Sequence, residues 1–110
     1  MIACLRKRME DCIESLRDAN VVARCTAARA LGQMGSSARE ALPALIQAIQ
    51  DREALVGDAA AEAIGAIGPE SREAVAALHQ ALADSNSFVQ AAAAKALKKA
   101  DAYQTAPVPG

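Results

Sequence analysis

Three aspartates, Asp18, Asp51 and Asp84, stand 33 residues apart, and the residues that follow each keep register with one another. Five places on lie Ala23, Val56 and Val89, and nine places on lie Ala27, Ala60 and Ala93. Ala30, Ala63 and Ala96 come next, each followed directly by Leu31, Ile64 or Leu97. Met34 and Ile67 extend the series in the first two copies and Ala100 in the third. On a helix of 3.6 residues per turn these positions form one apolar stripe. The segment before each aspartate repeats as well: Cys12, Leu45 and Leu78 align, as do Leu16, Ile49 and Leu82 four residues later on the same face. Each unit therefore reads as a helix (8–17, 41–50, 74–83), a turn at the aspartate, and a second helix (21–34, 54–67, 87–100).

Such a pair is too thin to shield its own apolar face, and stacking on a neighbour of the same shape does so. The expected fold is all-α: an α-α superhelix, or solenoid, of three antiparallel helix-pair repeats. One repeat domain is expected over 1–103, with repeats at about 8–37, 41–70 and 74–103, and a disordered tail over 104–110. Gly35 and Gly68 are placed to stop the second helices in a left-handed conformation, and Pro69 cannot continue the helix before it. Pro43 stands near a helix start, where its missing N–H matters little, and Ser87-Phe88-Val89-Gln90 has the spacing of a capping box. Alanine fills 29 of 110 positions and Trp is absent, which favours helix over sheet and lets helices approach closely.

With these residues laid out, the chain resembles HEAT-like repeats, specifically the short type named after phycobilisome lyases. The pattern stands in the first copy as Asp18, Ala23-Arg24, Ala27-Ala28, Ala30-Leu31-Gly32 and Gly35. The second reads Asp51, Val56-Gly57, Ala60-Ala61, Ala63-Ile64-Gly65 and Gly68; the third reads Asp84, Val89-Gln90, Ala93-Ala94 and Ala96-Leu97, then Lys98 and Asp101 in place of the glycines. The resemblance implies a ladder in which the Arg six places after an aspartate pairs with an aspartate of its own or the next unit. Arg24 would then meet Asp18 or Asp51, while Gly57 and Gln90 interrupt the ladder. Lys95, Lys98 and Lys99 give the last copy a polar end that discourages further stacking and suits the helix dipole.

No catalytic site is expected. The sole histidine, His79, aligns with Ile13 and Ile46 and reads as a partly buried structural side chain. Deoxyhypusine hydroxylases, a branch of the resembled superfamily, build a di-iron site from several His-Glu pairs; here Gln80 follows the only histidine. Cys4, Cys12 and Cys25 have no C-x-x-C spacing, so neither metal nor disulfide is implied; Cys12 reads as a core residue and Cys25 as a solvated one. No cofactor is called for. Apolar runs fall short of the roughly 20 residues that cross a bilayer, and the charges of Arg6, Lys7 and Arg8 follow the first apolar residues rather than precede them. A reducing, cytoplasmic setting is the expectation. Net charge is −1, and between Glu40 and Glu73 seven acids face two bases, which disfavours nucleic acid.

The expected partner is therefore another protein. Opposite the core stripe, places 6, 7, 10, 11 and 14 after each aspartate bring together Arg24, Cys25, Ala28, Arg29 and Gly32. In the second copy they give Gly57, Asp58, Ala61, Glu62 and Gly65, and in the third Gln90, Ala91, Ala94, Lys95 and Lys98. Ala28, Ala61 and Ala94 would form a smooth strip flanked by charges that run basic, acidic, basic, against which a partner helix or extended segment could lie. The expected activity is a non-catalytic interaction module or scaffold. The alternatives are an accessory subunit like a bilin lyase, implied by the resemblance alone, and a homodimer formed through the end faces of the stack.

Overall fold

The computed structural model describes residues 2–68, 72–83 and 86–105. Among these residues six α-helices follow one another: α1 (Ile2–Ser15), α2 (Val21–Met34), α3 (Leu42–Ala48), α4 (Ala54–Ile67), α5 (Arg72–Ala81) and α6 (Ser87–Thr105). A 3-10 stretch, Gly35–Ala41, leads into α3, and no strand occurs among the described residues. The chain is an all-α solenoid of helix pairs. Its smallest extent is 17 Å, close to the thickness of two helix layers, each about 10 Å across.

The three second helices lie side by side with α4 in the middle. The α2–α4 and α4–α6 contacts are the most extensive in the molecule, more so than those between the two helices of any one pair. Residue size explains this. A Cβ added at Gly32 would stand 3.1 Å from the Ala63 Cα, and one added at Gly65 would stand 2.9 Å from the Ala96 Cβ. Glycine facing alanine thus lets consecutive second helices approach until backbone nearly meets backbone. The first helices, which carry larger side chains, touch each other far less, so the second-helix layer forms the tighter, inner side.

Between the layers lie Leu31, Leu45, Val56, Ile64, Ile67 and Leu78, all fully buried, and no polar or charged residue is buried among the described residues. Leu16 and Ile49 are buried as the pattern requires, but Leu82 in the same register is exposed. Leu16 lies beside Asp51, Arg52 and Glu53 of the next turn.

Each of the repeat aspartates Asp18 and Asp51 has a local role. Its Oδ1 accepts the backbone N–H two residues on: Asn20 N–H to Asp18 at 2.8 Å, Glu53 N–H to Asp51 at 2.9 Å. Asn20 then caps α2 by accepting from the Val22 and Ala23 N–H groups, and Asn86 does the same for Phe88 and Val89 ahead of α6. The cap of α6 is therefore Asn86 and not the Ser87 box, because the free N–H groups of the first turn point back to the residue two or three before them. Glu53, at the matching place before α4, makes no side-chain cap.

Arg24 ties the first turn to the second. Its Nη2 donates to Asp51 Oδ1 at 3.2 Å and its Nε lies 2.9 Å from Oδ2, while Nη1 donates to the carbonyls of Asp18 and Ala19. Asp18 thus contributes its backbone and not its carboxylate. Of the two glycine stops, Gly35 has φ +60, whereas Gly68, at φ −148 and ψ 65, does not take the expected left-handed conformation. Helix α6 runs through Thr105, two residues into the segment expected to be disordered; 106–110 lie outside the described residues. His79 is exposed, since the first helices have no third layer over them, and Cys25 is half-buried against the core rather than solvated.

Candidate functional site

A helix inside a stack is covered on three sides: by its partner within the pair and by the second helices before and after it. Only a narrow sector stays open. On α2 that sector runs through Val22, Thr26, Arg29 and Gln33; on α4 through Leu55, Glu62 and Ala66; on α6 through Phe88, Lys95 and Lys99, with Ala59 and Ala92 buried at the matching places between them. These residues recur every three or four positions and so share one face. Their later turns, with Arg29 and Gln33, Glu62 and Ala66, and Lys95 and Lys99, line a shallow groove of about 660 Å³, floored by Gly32, Ala63, Gly65 and Ala96 where neighbouring helices meet; Val22, Leu55 and Phe88 stand outside it, one or two turns away on the same face.

The expected binding residues divide on this geometry. Arg29, Glu62 and Lys95 line the groove, one from each second helix. Asp58 sits half-buried within electrostatic reach of all three: burial pushes its carboxyl up, Glu62 pushes it further up, and Arg29 and Lys95 oppose both. The groove thus carries the cations Arg29, Lys95 and Lys99 and the anion Glu62, drawn from three helices, with the Asp58 carboxyl beside its lining. Ala28 and Ala61 are 0% exposed, so the expected smooth strip is not a surface. They turn toward the following second helix, and stacking closes over them; Ala94, on α6, is exposed. Gly57 is also buried, and a Cβ there would meet the Ile49 carbonyl at 2.9 Å and a Val89 methyl at 3.0 Å. Arg24 is engaged by Asp51 and Gln90 is half-buried, so neither lines the groove.

Three side chains on the open face had escaped sequence reasoning. Val22, Leu55 and Phe88 are large, apolar and exposed, and each stands four residues after its aspartate. The signal was present in the register itself. It was hidden because large apolar residues at helical spacing ordinarily mark a core.

The groove brings together guanidinium, ammonium and carboxylate groups over a floor of glycine and alanine. Such a surface recognises charge and shape at close approach. Among the described residues no helix is long and apolar enough to cross a membrane, and no three His, Cys, Asp or Glu side chains gather as a metal would need. A comparison with curated proteins gives no match. The family described as HEAT repeats matches residues 9–98, which takes in all of the second helices except the end of α6. HEAT repeats generally mediate protein–protein interaction and are typically non-catalytic. On that match and this architecture, the chain belongs to the HEAT repeat family.

Proposed function

We propose that this protein is a non-catalytic interaction module that holds a segment of another protein in the groove along its second helices. The observation that carries the reading is the charged row Arg29, Glu62 and Lys95, set over a floor with almost no side chains. A floor of Gly32, Ala63, Gly65 and Ala96 lets a partner backbone approach closely, and the alternating charges select for a complementary order. Within the family we read the chain as the short phycobilisome-lyase type in three copies at period 33. The Arg24–Asp51 pair, of the kind that type uses between units, supports that assignment.

The test uses displayed random peptides selected on the immobilised chain, with binding then measured by fluorescence anisotropy. Glu62→Lys should weaken the selected peptides by about tenfold or more, as expected for one charge reversed within a charge-steered groove. Glu10→Lys, a reversal at an exposed position on α1, should leave them unchanged. Peptides indifferent to Glu62→Lys would place binding elsewhere and refute the reading.

A further inference from the structure

Exposed large apolar side chains are few here, and they are not scattered. Among the described residues they are Val22 (69%), Leu55 (63%), Phe88 (67%) and Leu82 (40%). Leu82 is the least exposed of the four and lies outside the second helices. The other three fall at one repeat position, in the first turn of α2, α4 and α6. Nothing in the fold uses them: each is two-thirds exposed, at a place where any polar helix former would serve. Their side chains differ while the position is the same, so a row of three apolar knobs crosses the solenoid at one edge of its open face.

That row has a fixed relation to the charges. Arg29, Glu62 and Lys95 follow Val22, Leu55 and Phe88 by seven residues each, two turns and about 10.5 Å along the same helix faces. The surface is thus two parallel rows, apolar then charged, crossing three helices that are packed about 8–10 Å apart. We propose that its occupant is an amphipathic α-helix laid across the three second helices. Its apolar residues at i, i+7 and i+14 cover Val22, Leu55 and Phe88, and its acidic, basic and acidic flank faces Arg29, Glu62 and Lys95. This rests on the groove reading above and names the partner's chemistry.

Spacing selects a helix over a β-strand. Seven residues of α-helix advance about 10.5 Å, close to one step between neighbouring second helices, and return to the same face. Three residues of β-strand also advance about 10 Å, but an odd step turns the side chain to the opposite face. A helix is about 10–12 Å wide with its side chains, enough to span both rows at once. Positive, negative and positive charges on the groove call for the reverse order on the ligand.

The test is a displayed library of 21-residue helix-forming peptides, randomised between apolar and polar residues at heptad positions and between Glu and Lys on the flanks. Proline-repeat and strand-forming libraries are run beside it. Selected sequences should come from the helical library, carry apolar residues at i, i+7 and i+14, and show acid, base, acid along one flank. A triple variant, Val22→Ser with Leu55→Ser and Phe88→Ser, should keep its helicity and melting and weaken the selected peptides about tenfold or more. Leu82→Ser should not change binding. Peptides that lose affinity for Glu62→Lys but not for the triple variant would overturn the apolar-row proposal while leaving the groove reading intact. Indifference to both would remove both. Selection from the proline or strand libraries would overturn the helix. So would sedimentation showing a dimer that the triple serine variant abolishes, because the occupant would then be a second copy of this chain.

Discussion

Gly65→Ala sets two physical effects against each other at the junction between α4 and α6. Replacing glycine by alanine in the middle of a helix ordinarily gains about 0.8–1.0 kcal/mol, because glycine loses the most backbone freedom on folding. Here the new Cβ would lie 2.9 Å from the Ala96 Cβ and 3.1 Å from its Cα. Carbon atoms rest at about 3.5–4.0 Å, so the two helices must part by a substantial fraction of an ångström. Neither neighbour is the tip of a flexible side chain, and overpacking of this kind costs about 1–3 kcal/mol. The expected net result is a loss near 1 kcal/mol, read as a fall of about 4 °C in melting temperature for a domain of this size. Gly32→Ala meets Ala63 at 3.1 and 3.2 Å, a milder crowding, and should come out closer to neutral. Urea and thermal unfolding measure both. Ala96→Gly, which reopens the space, should restore stability to Gly65→Ala beyond the sum of the single changes by at least about 0.5 kcal/mol. Gly65→Ala more stable than the parent by the full propensity gain, or strict additivity with Ala96→Gly, would refute close packing at that junction.

Other outcomes follow from the turns and the groove. Asp51→Ala removes both the acceptor for the Glu53 N–H and the partner of the largely buried Arg24, with an expected loss of about 2–3 kcal/mol in unfolding; Asp51→Asn should lose less because it can keep the turn. Asn20→Ala and Asn86→Ala should each cost about 1 kcal/mol, whereas Glu53→Asn should gain some tenths to about 1 kcal/mol by supplying α4 with the cap its neighbours have. Because the Asp58 carboxyl is raised above its usual 3.8, the folded chain holds this proton more tightly than the unfolded one. Its ionisation therefore lowers stability as pH rises from 3.8 through the folded value, and Asp58→Asn should be more stable than the parent at neutral pH but not below that window. Melting curves across pH check the sign.

Much of the architecture was legible because each helix must bury one apolar face against its neighbours, which leaves its apolar residues at helical spacing. The second helices observed at Val21–Met34 and Ala54–Ile67 start and stop where the repeat and its glycines place them. The first helices were less legible. Pro43 and the 3-10 stretch before it shorten α3 to Leu42–Ala48, an effect of chain path that periodicity does not encode. Which side of the second helices stays open is not legible from the period alone. Taking everything opposite the core as surface admits Ala28 and Ala61, which in a stack face the next helix; the open sector is narrower and centred on Arg29, Glu62 and Lys95. Asn20 and Asn86 were missed as caps although they share a register, because unit two carries Glu53 there. His79 was expected to be partly buried from its alignment with Ile13 and Ile46, but those two are themselves only half-buried at an outer layer.

The most direct measurement is a set of nuclear Overhauser effects in the unmodified protein. If consecutive second helices pack glycine to alanine, the Gly32 Hα protons must give strong cross-peaks to the Ala63 methyl, and the Gly65 Hα protons to the Ala96 methyl. Helices joined in any other order, with Gly32 contacting residues of α6 or neither glycine reaching an alanine methyl, would contradict the stacked arrangement on which the groove depends.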